Sequence, residues 1–126
     1  MTSKEKALKI VEFILDKQAK DIVVLDVGDQ SGFCDYFVIC SAESTRQVDA
    51  IQHDTVRACR KNNIEVRSHH SDESLRWVLV DIDDIVLHIF FEEARKFYDL
   101  ESLWKEAKKV RIPARLRKAA KEKNII

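Results

Sequence analysis

Residues 76–104 read RWVLVDIDDIVLHIFFEEARKFYDLESLW, and this stretch decides the fold. Two apolar runs, 77–82 and 85–90, are rich in β-branched residues and are joined by Asp83-Asp84. Such runs with a two-residue polar join predict a β-hairpin. The signal is weaker than Asp-Gly, because Asp84 carries a steric cost if it takes φ > 0. With this turn, Ile82 opposes Ile85, Val80 opposes Leu87, and Val78 opposes Ile89. These six form one aliphatic face. The other face carries Trp77, Leu79, Asp81, Val86, His88 and Phe90. Side chains alternate with period two, so a one-residue slip would mix the two sets. Their clean separation supports the register. It also places Asp81 diagonal to His88, within reach across the strands.

After the hairpin, Phe97, Leu100 and Trp104 fall at helical spacing and predict a docking helix. Upstream, Thr2 and Glu5 form a capping box, and Ala7, Ile10, Val11 and Ile14 share one face of a first helix ending near Ala19. Residues 22–27 read as a central strand and 28–35 as a loop holding both glycines. Residues 36–40 read as a second buried strand. Ser44 and Gln47 open a second helix with Val48, Ile51, Thr55 and Cys59 facing inward, ended by Asn62-Asn63. Residues 64–67 read as a short strand near an edge, and 68–74 as polar loop. Strand, helix and strand over 36–67 form a βαβ unit, right-handed if its strands are parallel.

The 126 residues suit a single α/β domain, with a mixed sheet of about five strands packed with helices. Its expected extent is 1–110, followed by a partly disordered basic tail, 111–126. Acidic and basic residues balance at 22 each, but not along the chain. Residues 1–106 carry 14 basic and 21 acidic side chains, net −7, and residues 107–126 carry eight basic and one acidic, net +7. An acidic body suits a basic partner, and the tail suits RNA. Three cysteines, Cys34, Cys40 and Cys59, make no disulfide framework and fit a reducing compartment. No apolar run approaches the roughly 20 residues that cross a membrane, and the N-terminus lacks a signal core. A cytoplasmic protein is expected.

Asp81 and Asp83 alternate onto one side and resemble a carboxylate pair for two-metal nucleotidyl transfer. Yet no Gly-Ser phosphate-holding turn precedes them, and turn aspartates account for the pattern better. His69-His70 with Cys34, Cys40 or His53 lacks zinc-site spacing. No catalytic set, metal site or nucleotide cofactor is expected. Trp77 and Phe90 admit two readings. They are core if helices cover both sheet faces. They are an interface anchor with an acidic rim if that face is open.

The run Trp77-Val78-Leu79-Val80-Asp81, then Asp84-Ile85-Val86-Leu87-His88-Ile89-Phe90, then Glu92-Glu93, Arg95 and Tyr98-Asp99-Leu100-Glu101 with Trp104, resembles the ribosomal silencing factors, the Iojap-like family. Asp35-Tyr36-Phe37-Val38-Ile39, Ser44-Thr45-Arg46-Gln47-Val48 and Ala50-Ile51 agree with it. The likeness runs over roughly residues 5–106 and rests on several spaced motifs in order. Relatives usually carry a glycine after the second strand, where this chain has Ser41-Ala42-Glu43-Ser44.

The resemblance implies a nucleotidyltransferase-like topology without catalytic residues. It also implies binding to the fourteenth protein of the large ribosomal subunit, which blocks joining of the small subunit and represses translation. A homodimer is a further implication. On this reading the partner-binding residues are Trp77, Asp81, Asp84, His88, Phe90, Glu92, Glu93, Arg95 and Tyr98. Trp77 is the apolar anchor, the carboxylates face basic residues, and the basic tail adds an auxiliary rRNA contact. A small metal-dependent nucleotidyltransferase and an RNA-binding module led by the tail are the competing readings.

Overall fold

The computed structural model describes residues 1–117. Helix α1 (Ser3–Asp16) leads into β1 (Lys20–Asp26), a one-turn α2 (Gly28–Ser31), β2 (Tyr36–Ala42) and the long α3 (Thr45–Lys61). Then come β3 (Ser68–Ser71), β4 (Trp77–Ile82), β5 (Ile85–Phe91), α4 (Glu92–Tyr98), α5 (Leu100–Leu103) and β6 (Lys108–Val110). Together they make a mixed α/β domain on one six-stranded sheet, ordered β3-β4-β5-β2-β1-β6. Among the described residues, only β2 and β5 are paired in parallel; the other ladders are antiparallel.

The hairpin has the register expected from its period: Ile82 pairs with Ile85, Val80 with Leu87, and Val78 with Ile89. All six are fully buried. They meet α1 and α3 through Ile10, Val11, Ile14, Val48 and Ile51. Removing such aliphatic surface from water is what holds the layers together. The left-handed turn residue is Asp83, at φ 66°, and not Asp84. Asp81 Oδ1 accepts from the Asp83 amide at 3.0 Å, a local bond that suits an aspartate to this conformation. Both helix starts are capped as expected: Thr2 and Glu5 exchange a capping box, and Ser44 Oγ accepts from the Gln47 amide. No residue of 41–44 has a positive φ, so the turn after β2 forms without a glycine.

Four expectations are corrected. Residues 64–67 are not a strand; the edge strand is Ser68–Ser71, inside the expected polar loop. An edge strand needs only one ladder, here with β4, and its outer side meets water, so it carries no apolar alternation. β3 does run in the same direction as β2, but β4 and β5 lie between them. The helix after the hairpin is broken: Asp99 takes φ 46°, ends α4 and begins α5. The Phe97, Leu100, Trp104 stripe is therefore split, leaving Phe97 82% exposed while Leu100 is buried. A sixth strand, Lys108–Val110, adds to β1 at the far edge. Finally, the domain does not stop at 110, because Ile112 and Leu116 are buried in the same cluster as α1. The remainder of the expected tail, 118–126, lies outside the described residues.

Candidate functional site

The second sheet face is only partly covered. Phe90, Val86, Phe37, Leu25, Ala94 and Leu100 form a smaller core under α4 and α5. Trp77, Leu79 and Trp104 pack against its margin, half-buried. Strand alternation puts Trp77 here, and its pairing with Phe90 is the last rung of the hairpin. The two rings stack with centroids 4.9 Å apart. Tyr98, from the last turn of α4, lies 5.0 Å from the indole centroid and is 45% exposed.

The indole Nε1 donates to His88 Nδ1 at 3.2 Å. An indole nitrogen only donates, so Nδ1 is the acceptor and the neutral imidazole carries its proton on Nε2. Nε2 is buried without a hydrogen-bond partner, and Phe37 packs edge-to-face against the ring at 4.7 Å. Burial pushes the His88 pKa down to about 4, which keeps the ring neutral at physiological pH. The expected Asp81–His88 contact is thus replaced by a Trp77–His88 bond on the opposite diagonal.

These contacts sort the expected site residues. Trp77, Tyr98, Glu92 and Glu93 reach the surface, and Asp81 is half-buried. Phe90 and His88 do not reach it, at 0% and 4% exposure; they hold the indole from below. Arg95 is a staple within the fold. Its guanidinium donates to the Asp21 carbonyl at 2.6 Å, to Ser41 Oγ at 2.9 Å and to Glu101 at 2.8 Å. It thereby fixes the irregular start of β1, where Asp21 has φ 49°. Asp84 is tied to α1, accepting from Lys6 Nζ at 2.6 Å and from Ser3 Oγ at 2.5 Å. Burial would raise its pKa, but those two hydrogen bonds and the Lys6 charge outweigh it and hold the carboxyl below its ordinary value. Asp84 thus joins α1 to the hairpin and is not part of the aromatic patch.

Asp81 bonds the turn amide and Asp83 pairs with Arg67 at 3.3 Å. Both border a cleft of about 280 Å³ whose walls include Phe33, Phe37, Leu79, Val86 and His88. On the other side of α4, Glu92 and Glu93 line an acidic cleft with Asp21, Asp99 and Glu101. The three cysteines are free and buried; burial raises Cys34 and pushes Cys59 up to about 11 and Cys40 up to about 12, so none is a ready nucleophile. Among the described residues no helix is long and apolar enough to cross a membrane.

Leu79 was missed as a site residue, although alternation places it two residues from Trp77 on the same face. Phe33, 67% exposed beside the same cleft, had no signal beyond its place in a loop.

The fold recurs in known proteins. A family model described as "Ribosomal silencing factor during starvation" matches residues 1–125. The chain belongs to the ribosomal silencing factor family. It is 35% identical to the ribosomal silencing factor of Halalkalibacterium halodurans, over 89% of this chain and 96% of that one. It is also similar to a crystal structure from Chromobacterium violaceum, with a TM-score of 0.72 and 28% identity over 82% of this chain and 83% of that one. A mouse protein named for mitochondrial assembly of the ribosomal large subunit is 33% identical over 75% of this chain and 43% of its own length. The family name describes a regulatory role and not a catalytic one.

Proposed function

We propose that the chain docks its partly covered sheet face on the large ribosomal subunit, at that subunit's fourteenth protein. Bound there, it blocks joining of the small subunit and represses translation. The observation that carries this reading is the Trp77 patch. A partly buried indole is held by His88, stacked on Phe90 and flanked by Leu79 and Tyr98. Tryptophan is enriched among residues that dominate binding energy, and a side chain already fixed loses little freedom on docking. Asp81 supplies negative charge in the cleft beside the patch, and Glu92 and Glu93, in the acidic cleft across α4, add charge suited to a basic partner surface. Phe90 and His88 act indirectly, by holding the indole from below, and Arg95 by tying α4 and α5 to β1 and β2. On this reading the role is not catalytic and is exercised in the cytoplasm.

Sedimentation with separated ribosomal subunits tests the proposal. The purified chain is expected to travel with large subunits and not with small ones. Added before the subunits are mixed, it should lower the yield of joined ribosomes. Undiminished joining at saturating protein would contradict the proposal.

A further inference from the structure

A second cleft, about 310 Å³, lies between α5 and β6, with Leu25, Glu101, Ser102, Trp104, Lys105 and Lys109 among its walls. Trp104 is half-buried, and Phe37 meets it at a steep angle, 76° between planes with centroids 5.0 Å apart. That contact fixes the indole. Lys109 pairs with Leu25 in the β1–β6 ladder, and paired residues point to the same side of a sheet. Leu25 belongs to the smaller core that Trp104 borders, so Lys109 stands on the Trp104 side. Lys105 follows Trp104 directly. The one carboxylate in the cleft, Glu101, is already paired with Arg95 at 2.8 Å. Among the described residues, no carboxylate forms an ion pair with Lys105, Lys108, Lys109 or Arg111.

We infer that this cleft binds a nucleotide of single-stranded RNA, its base against Trp104 and its adjoining phosphates on Lys105 and Lys109. Aromatic planes accept any base by stacking, and a basic groove tracks the backbone; together they make a sequence-tolerant site for single strands. An acidic peptide would use the lysines and leave the indole idle. The net −7 of residues 1–106 repels a polyanion elsewhere on the body, so the approach of RNA is focused on this edge. The site shares no residue with the Trp77 patch, and the inference is independent of the docking proposal.

The test is fluorescence anisotropy of a labelled 12-nucleotide oligouridylate with the full chain, between 50 and 200 mM salt. Lys105→Gln with Lys109→Gln should weaken binding about tenfold at the low end. It should also flatten the log–log salt slope by about 1.4, since each phosphate contact to a single strand contributes about 0.7. Trp104→Phe, which preserves the packing better than a truncation, should weaken binding several-fold and leave the slope alone, as expected for lost stacking. Trp77→Ala should leave oligonucleotide binding unchanged. Three results would overturn the inference: no binding by the wild type at 50 mM salt, wild-type affinity in the double lysine variant, or equal competition by polyglutamate.

Discussion

The two faces of the sheet are built from the same hairpin and finished differently. On one, Val78, Val80, Ile82, Ile85, Leu87 and Ile89 are all fully buried beneath α1 and α3. On the other, Phe90 and His88 are buried, while Trp77 and Leu79 are only partly buried at the margin of α4. The first face is sealed and serves stability alone. The second places a rigid floor under an open patch: β5 supplies the buried floor and β4 the partly buried residues above it. Sequence alternation sorts residues into faces, but only the covering elements decide which face closes.

The sharpest way to break this contrast is to truncate one side chain on each face. Leu87→Ala and Phe90→Ala should each lower stability by about 3–4 kcal/mol, because both empty a fully buried site. Urea unfolding measures this. A loss under 1 kcal/mol for Phe90→Ala would show that the second face has no true core. Cutting the chain after Val110 should also destabilise, by a few kcal/mol, since it removes the buried Ile112 and Leu116. An unchanged melting temperature would return those residues to a dispensable tail.

A pH titration sharpens the contrast further. His88 is held neutral, its pKa pushed from 6.5 to about 4 by burial. Between those values the unfolded chain binds more protons than the folded one, so stability rises with pH. This contribution is intact above about pH 6.5, falls progressively on acidification, and is fully lost below about pH 4. The whole loss is of order 3 kcal/mol at most. In His88→Gln, the part of the acid sensitivity between pH 6.5 and 4 should flatten. An identical profile in that variant would mean that His88 is not the neutral support of the indole.

The smallest effect concerns the acidic rim. Glu92→Lys with Glu93→Lys changes exposed side chains, so stability should move by no more than about 0.5 kcal/mol. Association with the isolated ribosomal protein should slow at low salt, and the deficit should shrink at high salt, as rim charges act mainly on the on-rate and are screened by salt. Stopped-flow kinetics across a salt series would detect it, and an unaltered rate at low salt would place these carboxylates away from the partner.

Much of this was legible in the chain. Period-two alternation fixed the hairpin register, and the capping residues Thr2 and Ser44 marked both long helices. The edge strands were not legible. Ser68–Ser71 and Lys108–Val110 are short and polar, and are strands only because β4 and β1 offer them ladders. The break at Asp99 was hidden because Phe97, Leu100 and Trp104 keep helical spacing across it. For the candidate site, the mixed face was visible, but its division into contact and support was not. Phe90 looks as suited to an interface as Trp77 until α4 and α5 are in place. Asp84 and Arg95 look like rim charges until Lys6, Ser3, Asp21 and Ser41 are seen to occupy them.

The central claim is that Trp77 belongs to the open patch and not to the core. The direct measurement is the dissociation constant of Trp77→Ala for the isolated fourteenth protein of the large subunit, taken beside its unfolding free energy. A hot-spot truncation costs at least about 2 kcal/mol, so binding should weaken by roughly thirtyfold or more. The loss of stability should be clearly smaller than that of Phe90→Ala. Unchanged affinity in a folded variant, or destabilisation as large as that of Phe90→Ala, would contradict the account.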